Sequence, residues 1–127
     1  MEVRPAGDDE RRRAAALWIE RWGSPRVVSR GRLHEPMRLP MLVAVEEGHI
    51  AGALTYDVKN REMEAVTVDA FAEGRGAGCA LIDAAAAEAR RLGCNRLWLI
   101  TTNDNTPALR FYQRCGMRLA ALHPNAL

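Results

Sequence analysis

Three glycines fall at alternate positions in Glu73-Gly74-Arg75-Gly76-Ala77-Gly78, between an apolar run, Val66-Thr67-Val68, and a long alanine-rich segment with helical periodicity. A chain of this kind must turn from a strand into a helix through a loop without Cβ atoms. Its backbone therefore comes close to a ligand, and the first N–H groups of the helix point at whatever sits there. The expected ligand carries phosphate. A dinucleotide fingerprint would need a third glycine in Gly-x-Gly-x-x-Gly register, where Cys79 stands counting from Gly74 and Leu81 counting from Gly76. A nucleotide P-loop would need Gly-Lys-Ser/Thr, and the only lysine is Lys59, upstream. Both are excluded.

The loop resembles the acetyl-CoA signature of the GNAT N-acetyltransferase superfamily, Gln/Arg-x-x-Gly-x-Gly/Ala, with Gly76 and Gly78 as the two glycines and Val68 ending the preceding strand at the family's spacing. A second segment, Trp98 to Met117, is similar to the family's strand, helix and strand that carry Asn, a small residue, an aromatic-Tyr pair and a Gly-aromatic ending. Here these are Asn105, Ala108, Phe111-Tyr112 and Gly116-Met117. The resemblance covers Val3 to about Leu122. It implies an α/β (α+β) fold with a mixed sheet, mostly antiparallel and with one parallel strand-helix-strand crossover. It also implies acetyl-CoA as co-substrate and transfer of its acetyl group to an amine by direct attack.

By this resemblance, Val66, Thr67 and Val68 pair with the pantetheine arm, and Val68 N–H donates to the thioester oxygen that becomes an oxyanion. Glu73, Gly74, Arg75, Gly76, Ala77, Gly78 and Cys79 surround the pyrophosphate, and Asn105 bonds the pantetheine arm or caps the helix that follows. Glu73 departs from the family's Gln or Arg and brings a carboxylate near the phosphates. Tyr112 takes the family's acid position, protonating the CoA thiolate; read from spacing alone, it is the wet-ended partner of Phe111 on an amphipathic helix. One glutamate base of the family falls on Ile100, which accepts no proton. Another falls on Glu62, and strict alternation puts Glu62, Glu64, Val66 and Val68 on one strand face, so either carboxylate could act through water. Both could equally be solvated residues at a strand's start. The alternative to an enzyme is a CoA-binding module that kept the cradle and lost the base.

The rest of the chain is organised around this unit. A short strand near Val3 leads to a helix capped by Asp8 or Asp9, with Ala15, Trp18, Ile19 and Trp22 as its apolar stripe, ended by Gly23-Ser24-Pro25. An arginine-rich connection follows, bearing Arg26, Arg30, Arg32 and His34, which in the family's fold borders the acceptor cleft. Met41 to Val45 and Ile50 to Tyr56 read as antiparallel strands around Glu47-Gly48-His49, followed by a strand from about Glu62 to Val68. A helix from Gly76 to Leu92 stops at Gly93, and Arg96 to Thr101 forms the next strand. After a presumed strand from Met117 to Leu122 the family continues to a seventh strand. The sequence given is too short for one, so either the strand from Met117 shifts to pair with the strand from Arg96 or a second chain covers that edge, and a homodimer is the favoured expectation.

At 127 residues with 48% hydrophobic content the expectation is one domain, with no membrane-length apolar run. A net charge of +2 points to no nucleic-acid partner, and Arg11-Arg12-Arg13 and Arg90-Arg91 read as solvated helix faces. The N-terminus has no apolar signal region, and a cytoplasmic location is expected. Cys79, Cys94 and Cys115 are odd in number and lack a Cys-x-x-Cys pair, so they read as reduced structural thiols with no metal. The acceptor is expected to be a small-molecule or peptide amine.

Overall fold

The structure, a computed structural model, describes residues 1–22, 27–29, 32–34, 38–71, 76–99 and 111–116. Strands β1 (Glu2–Pro5), β4 (Met41–Glu46), β5 (His49–Lys59), β6 (Glu62–Ala70) and β7 (Arg96–Trp98) make one sheet in the order β1-β4-β5-β6-β7. Its pairs are antiparallel except β6 with β7, which is parallel. The crossover between those two is helix α2 (Ala77–Arg91), and helix α1 (Asp8–Trp22) joins β1 towards β4. Strands β2 (Val27–Ser29) and β3 (Arg32–His34) form a separate hairpin, lying beside β6, in the segment expected to be a plain connection.

Both faces of the sheet are covered by apolar packing. Towards α2, Leu42, Leu54, Tyr56 and Met63 meet Ala77, Leu81, Ile82, Ala85 and Ala89. The helix is alanine-rich along this stripe, so its axis approaches the sheet closely. Gly52 on β5 carries that economy furthest: a Cβ there would stand 2.8 Å from Asp69 O, 3.0 Å from Leu81 Cδ1 and 3.2 Å from Ala77 Cβ. On the other face Ala14 of α1 meets Met41, Val43, Ile50 and Ala53, and Trp18 is buried. The α1 stripe is therefore built on Ala14, Leu17 and Trp18, whereas Ile19, expected within it, is 45% exposed.

Helix ends follow their local chemistry, with one correction. Gly7 rather than Asp8 or Asp9 holds the cap of α1: its carbonyl accepts from Arg11 N–H at 2.9 Å, and its own N–H donates to Glu10 Oε1 at 3.0 Å. Glu10 thus reaches back as in a capping box, and Asp8 and Asp9 sit in the first turn, where the helix dipole favours them. At the far end of α2, Gly93 is left-handed (φ +77), Cys94 N–H donates to Ala89 O and Gly93 N–H to Arg90 O, a Schellman closure.

Two-residue turns fix the sheet's register. Glu47 and Gly48 connect β4 to β5, and Asn60 and Arg61 connect β5 to β6; all four have positive φ, as type I′ hairpins require. Asn95 N–H donates to Arg61 O at 2.8 Å, and Arg61 Nε donates to Gly93 O at 3.4 Å. The β5–β6 turn is thereby tied to the loop that ends α2.

The expectation of three reduced cysteines is overturned for two of them. Cys79 and Cys115 form a disulfide with Cα atoms 5.2 Å apart, leaving Cys94 free. Spacing along the chain could not show this, because the pair is 36 residues apart and meets only when the helix bearing Tyr112 folds over α2.

Candidate active site

Parallel pairing of β6 with β7 runs over Glu62–Glu64 opposite Arg96–Trp98, while β6 itself continues to Ala70. Among the described residues nothing pairs with Val66, Thr67 or Val68 on the β7 side. A separate irregularity lies within β6, in the register it keeps with β5. That register passes from Thr55↔Thr67 to Tyr56↔Ala65, so Val66 is an extra residue, and such a bulge bends and twists its strand.

The bulge changes two things that strict alternation had misplaced. Met63, Ala65 and Val68 all pack towards α2, and the three-residue step from Ala65 to Val68 is the mark of the extra residue. Glu62 and Glu64, lying on either side of Met63, face the opposite way, towards the α1 side. They do not share a face with Val68, as strict period-2 reading expects. On the α1 side Thr67, Asp69 and Phe71 line a cleft with Trp18, Met41 and Thr55.

Backbone phase places the Val68 amide. Phe71 N–H donates to Ala51 O at 2.8 Å, which marks a bonded position of the β5–β6 ladder. Bonded positions recur every second residue, so Val68, opposite Leu54, directs its N–H and C=O away from β5, towards the β7 side of the sheet.

Gly76 and Gly78 have different structural reasons for being glycine. Gly76 is the N-cap of α2 at φ 74 and ψ 13, with no side-chain cap, and nothing would lie within 4 Å of a Cβ there. It supplies the left-handed turn that leaves the first helical N–H groups facing outward. Gly78 is buried, and a Cβ there would stand 2.3 Å from Phe111 Cζ. The space on its Cβ side is filled by the Phe111 ring. Ala77 is buried in the α2 core, and Cys79 is held in the disulfide.

Tyr112 packs against the α2 core and against Phe111, ring centroids 5.2 Å apart at 67°. Burial pushes its phenol above the usual tyrosine range, and the charge of Asp69 raises it further. The phenol therefore keeps its proton. Glu62 is partly exposed and pairs with Arg96 at 3.5 Å across the parallel ladder, whereas Glu64 is 6% exposed. Thr55 and Thr67 join hydroxyls at 2.7 Å on the floor of the α1-side cleft. Asp69, Phe71 and Thr55 were not singled out from sequence, and Thr67 only as a residue pairing with the pantetheine arm, because the bulge in β6 leaves no signal in residue order.

Glu73, Gly74, Arg75, Ile100 and Asn105 lie outside the described residues, as do Arg26, Arg30 and the presumed strand from Met117 to Leu122. Among the described residues no group of three or more His, Cys, Asp or Glu could hold a metal ion, and no helix is long and apolar enough to cross a membrane.

A family model described as the acetyltransferase (GNAT) family matches residues 8–117, a span that includes the bulged strand, its parallel neighbour and the glycine-started helix between them. The chain belongs to the GNAT acetyltransferase family. YdhI, an uncharacterized protein of Bacillus subtilis (strain 168), is 32% identical over 128 residues, covering 100% of this chain and 80% of the relative. The streptothricin acetyltransferase of Streptomyces lavendulae is 36% identical over 80 residues, which is 60% of this chain and 42% of that enzyme. Among solved structures, AAC(6')-Iy in complex with the bisubstrate analog CoA-S-monomethyl-acetylneamine superposes with a TM-score of 0.71 at 16% identity, covering 98% of this chain and 97% of that one. The mixed sheet with its parallel crossover is thus the GNAT fold.

Proposed function

We propose that this GNAT protein transfers the acetyl group of acetyl-CoA to a primary amine by direct attack within a ternary complex. The observation that carries the reading is the bulge at Val66, beyond which no described residue pairs with β6 on the β7 side and the Val68 amide is turned away from β5. An extended pantetheine arm laid there would complete the sheet as an added strand does. Its thioester oxygen would accept from Val68 N–H, a bond that strengthens as the oxygen becomes an oxyanion. The outward N–H groups at the start of α2 suit the pyrophosphate.

Tyr112 is assigned the proton for the departing thiolate: burial holds the phenol in its acid form. Glu64, buried on the α1 face, is assigned the proton of the attacking ammonium through water. Glu62 is the weaker choice because Arg96 holds it at the start of the ladder. On the α1 side the carboxylate of Asp69 beside Trp18 and Phe71 would attract a cationic amine, although the hollow these residues line has room only for a water-sized group. That fits the acceptor class of the streptothricin and aminoglycoside acetyltransferases to which the chain is similar.

The test pairs calorimetric titration of CoA with release of free thiol from acetyl-CoA across a panel of amines that includes streptothricin and neamine. Binding together with amine-dependent thiol release is the expected result. Binding without release from any amine would make the chain a CoA-binding module, and absence of binding would refute the cradle.

A further inference from the structure

We propose that Cys79–Cys115 is a thiol–disulfide modification site through which a low-molecular-weight dithiol controls the placement of Tyr112. The bond joins the first turn of α2, the turn that follows Gly76, to Cys115, three residues after Tyr112. It is the covalent tie among the described contacts of residues 111–116 with α2. Two of those contacts meet α2 at adjacent residues. The Phe111 ring fills the space left by Gly78, and Cys115 is bonded to Cys79. Tyr112 lies between them. Both cysteines are only partly buried, so a small reductant has access, and once the bond is cut the described contacts that remain are the noncovalent packing of Phe111 and Tyr112.

The exchange balances with a dithiol as reductant. One thiolate of the dithiol attacks a cysteine sulfur, the Cys79–Cys115 bond breaks, and a mixed disulfide forms as the other cysteine leaves as a thiolate and takes up a proton. The second dithiol sulfur then closes its own ring and expels the remaining cysteine. The protein gains two electrons and two protons, and the dithiol becomes a cyclic disulfide. Oxidation reverses this. The consequence for turnover rests on the acid role proposed for Tyr112, whereas the bond and its grip on the segment do not.

The experiment uses the full chain, purified in air, with dithiothreitol as the reductant. Alkylation followed by mass spectrometry is expected to label Cys94 alone before reduction and all three cysteines after it. Amide exchange at residues 111–116 is expected to speed up at least about tenfold on reduction and to return on reoxidation. In a Tyr56→Phe background, where Tyr112 is the sole tyrosine, ultraviolet titration of the phenol is expected to move towards the ordinary value as burial is lost. Cys115→Ser should show the reduced behaviour with or without dithiol, with Cys94→Ser as the unaffected control. Full alkylation of all three cysteines without reductant would overturn the proposal, and so would unchanged exchange and titration on reduction. Failure of acetyl-CoA to bind would leave these readouts intact and count only against the proposed function.

Discussion

Replacing Gly52 with alanine tests whether the close approach of α2 to the sheet sets up the site. The added Cβ would meet Asp69 O at 2.8 Å, Leu81 Cδ1 at 3.0 Å and Ala77 Cβ at 3.2 Å. Comfortable separation of carbon atoms is about 3.5–4.0 Å, so the new methyl is short of space on three sides. Only the Leu81 methyl can swing away; Asp69 O is backbone, and Ala77 Cβ moves only with the helix. Overpacking of this kind costs about 1–3 kcal/mol, against about 0.5–1 kcal/mol gained because alanine restricts the unfolded chain more than glycine does. The net loss is about 1–2 kcal/mol, or a drop of roughly 3–8 °C in Tm for a chain of this size. Relief by sliding α2 would also displace the helix start from β6, so acetyl-CoA should bind several-fold more weakly. Gly48→Ala is the control: its φ of +78 makes alanine strained there too, yet nothing lies within 4 Å of the Cβ and α2 is far along the chain. It should lose about 1 kcal/mol with unchanged CoA affinity. Thermal melts with calorimetric CoA titrations read both quantities. Equal affinity in the two variants would refute the link between helix approach and the site.

Tyr112→Phe should lower kcat by about tenfold or more with little change in KM for acetyl-CoA, since the ring still packs while the proton is lost. In the parent the acid form is the active one and its phenol is raised, so the alkaline loss of rate in a pH profile should lie above the ordinary tyrosine value near about 10. Glu64→Gln should reduce kcat about tenfold or more near neutral pH, whereas Asp69→Asn should chiefly raise KM for a cationic amine; steady-state kinetics against neamine separates them. Glu10→Ala should cost about 1 kcal/mol by chemical denaturation, through loss of the back-bond to Gly7. Because that bond and Arg4 hold the Glu10 carboxyl below its ordinary range, its contribution is complete above that range and fades as pH falls through the lowered value.

Much of what short spacing governs was legible in the residues, although the β2–β3 hairpin was not. The Glu47-Gly48 turn, the glycine at the end of α2 and the helix start at Gly76 each depend on neighbours within a few positions, and each was legible. The structure departed where one residue altered a phase or where distant segments met. Val66 inserts itself into β6 and reverses which face Glu64 shares, and no residue type announces a bulge. Gly78 sits in the motif, but the neighbour on its Cβ side is Phe111, more than thirty positions away. Cys79 and Cys115 were hidden for the same reason. On α1, Ile19 fits a helical stripe as well as Ala14 does, and only the tilt imposed by the sheet decides between them.

The tie between the Arg61 turn and the loop of Gly93 and Asn95 makes β6 and β7 resemble the legs of a drawing compass. The legs are pinned at one vertex, next to the three residue pairs of the parallel ladder. A fault at the vertex is magnified by distance, so a small rotation at Arg61 becomes a larger displacement of β6 at Val68. Substitutions at this solvent-facing turn should therefore shift the Val68 amide from a point that never touches it.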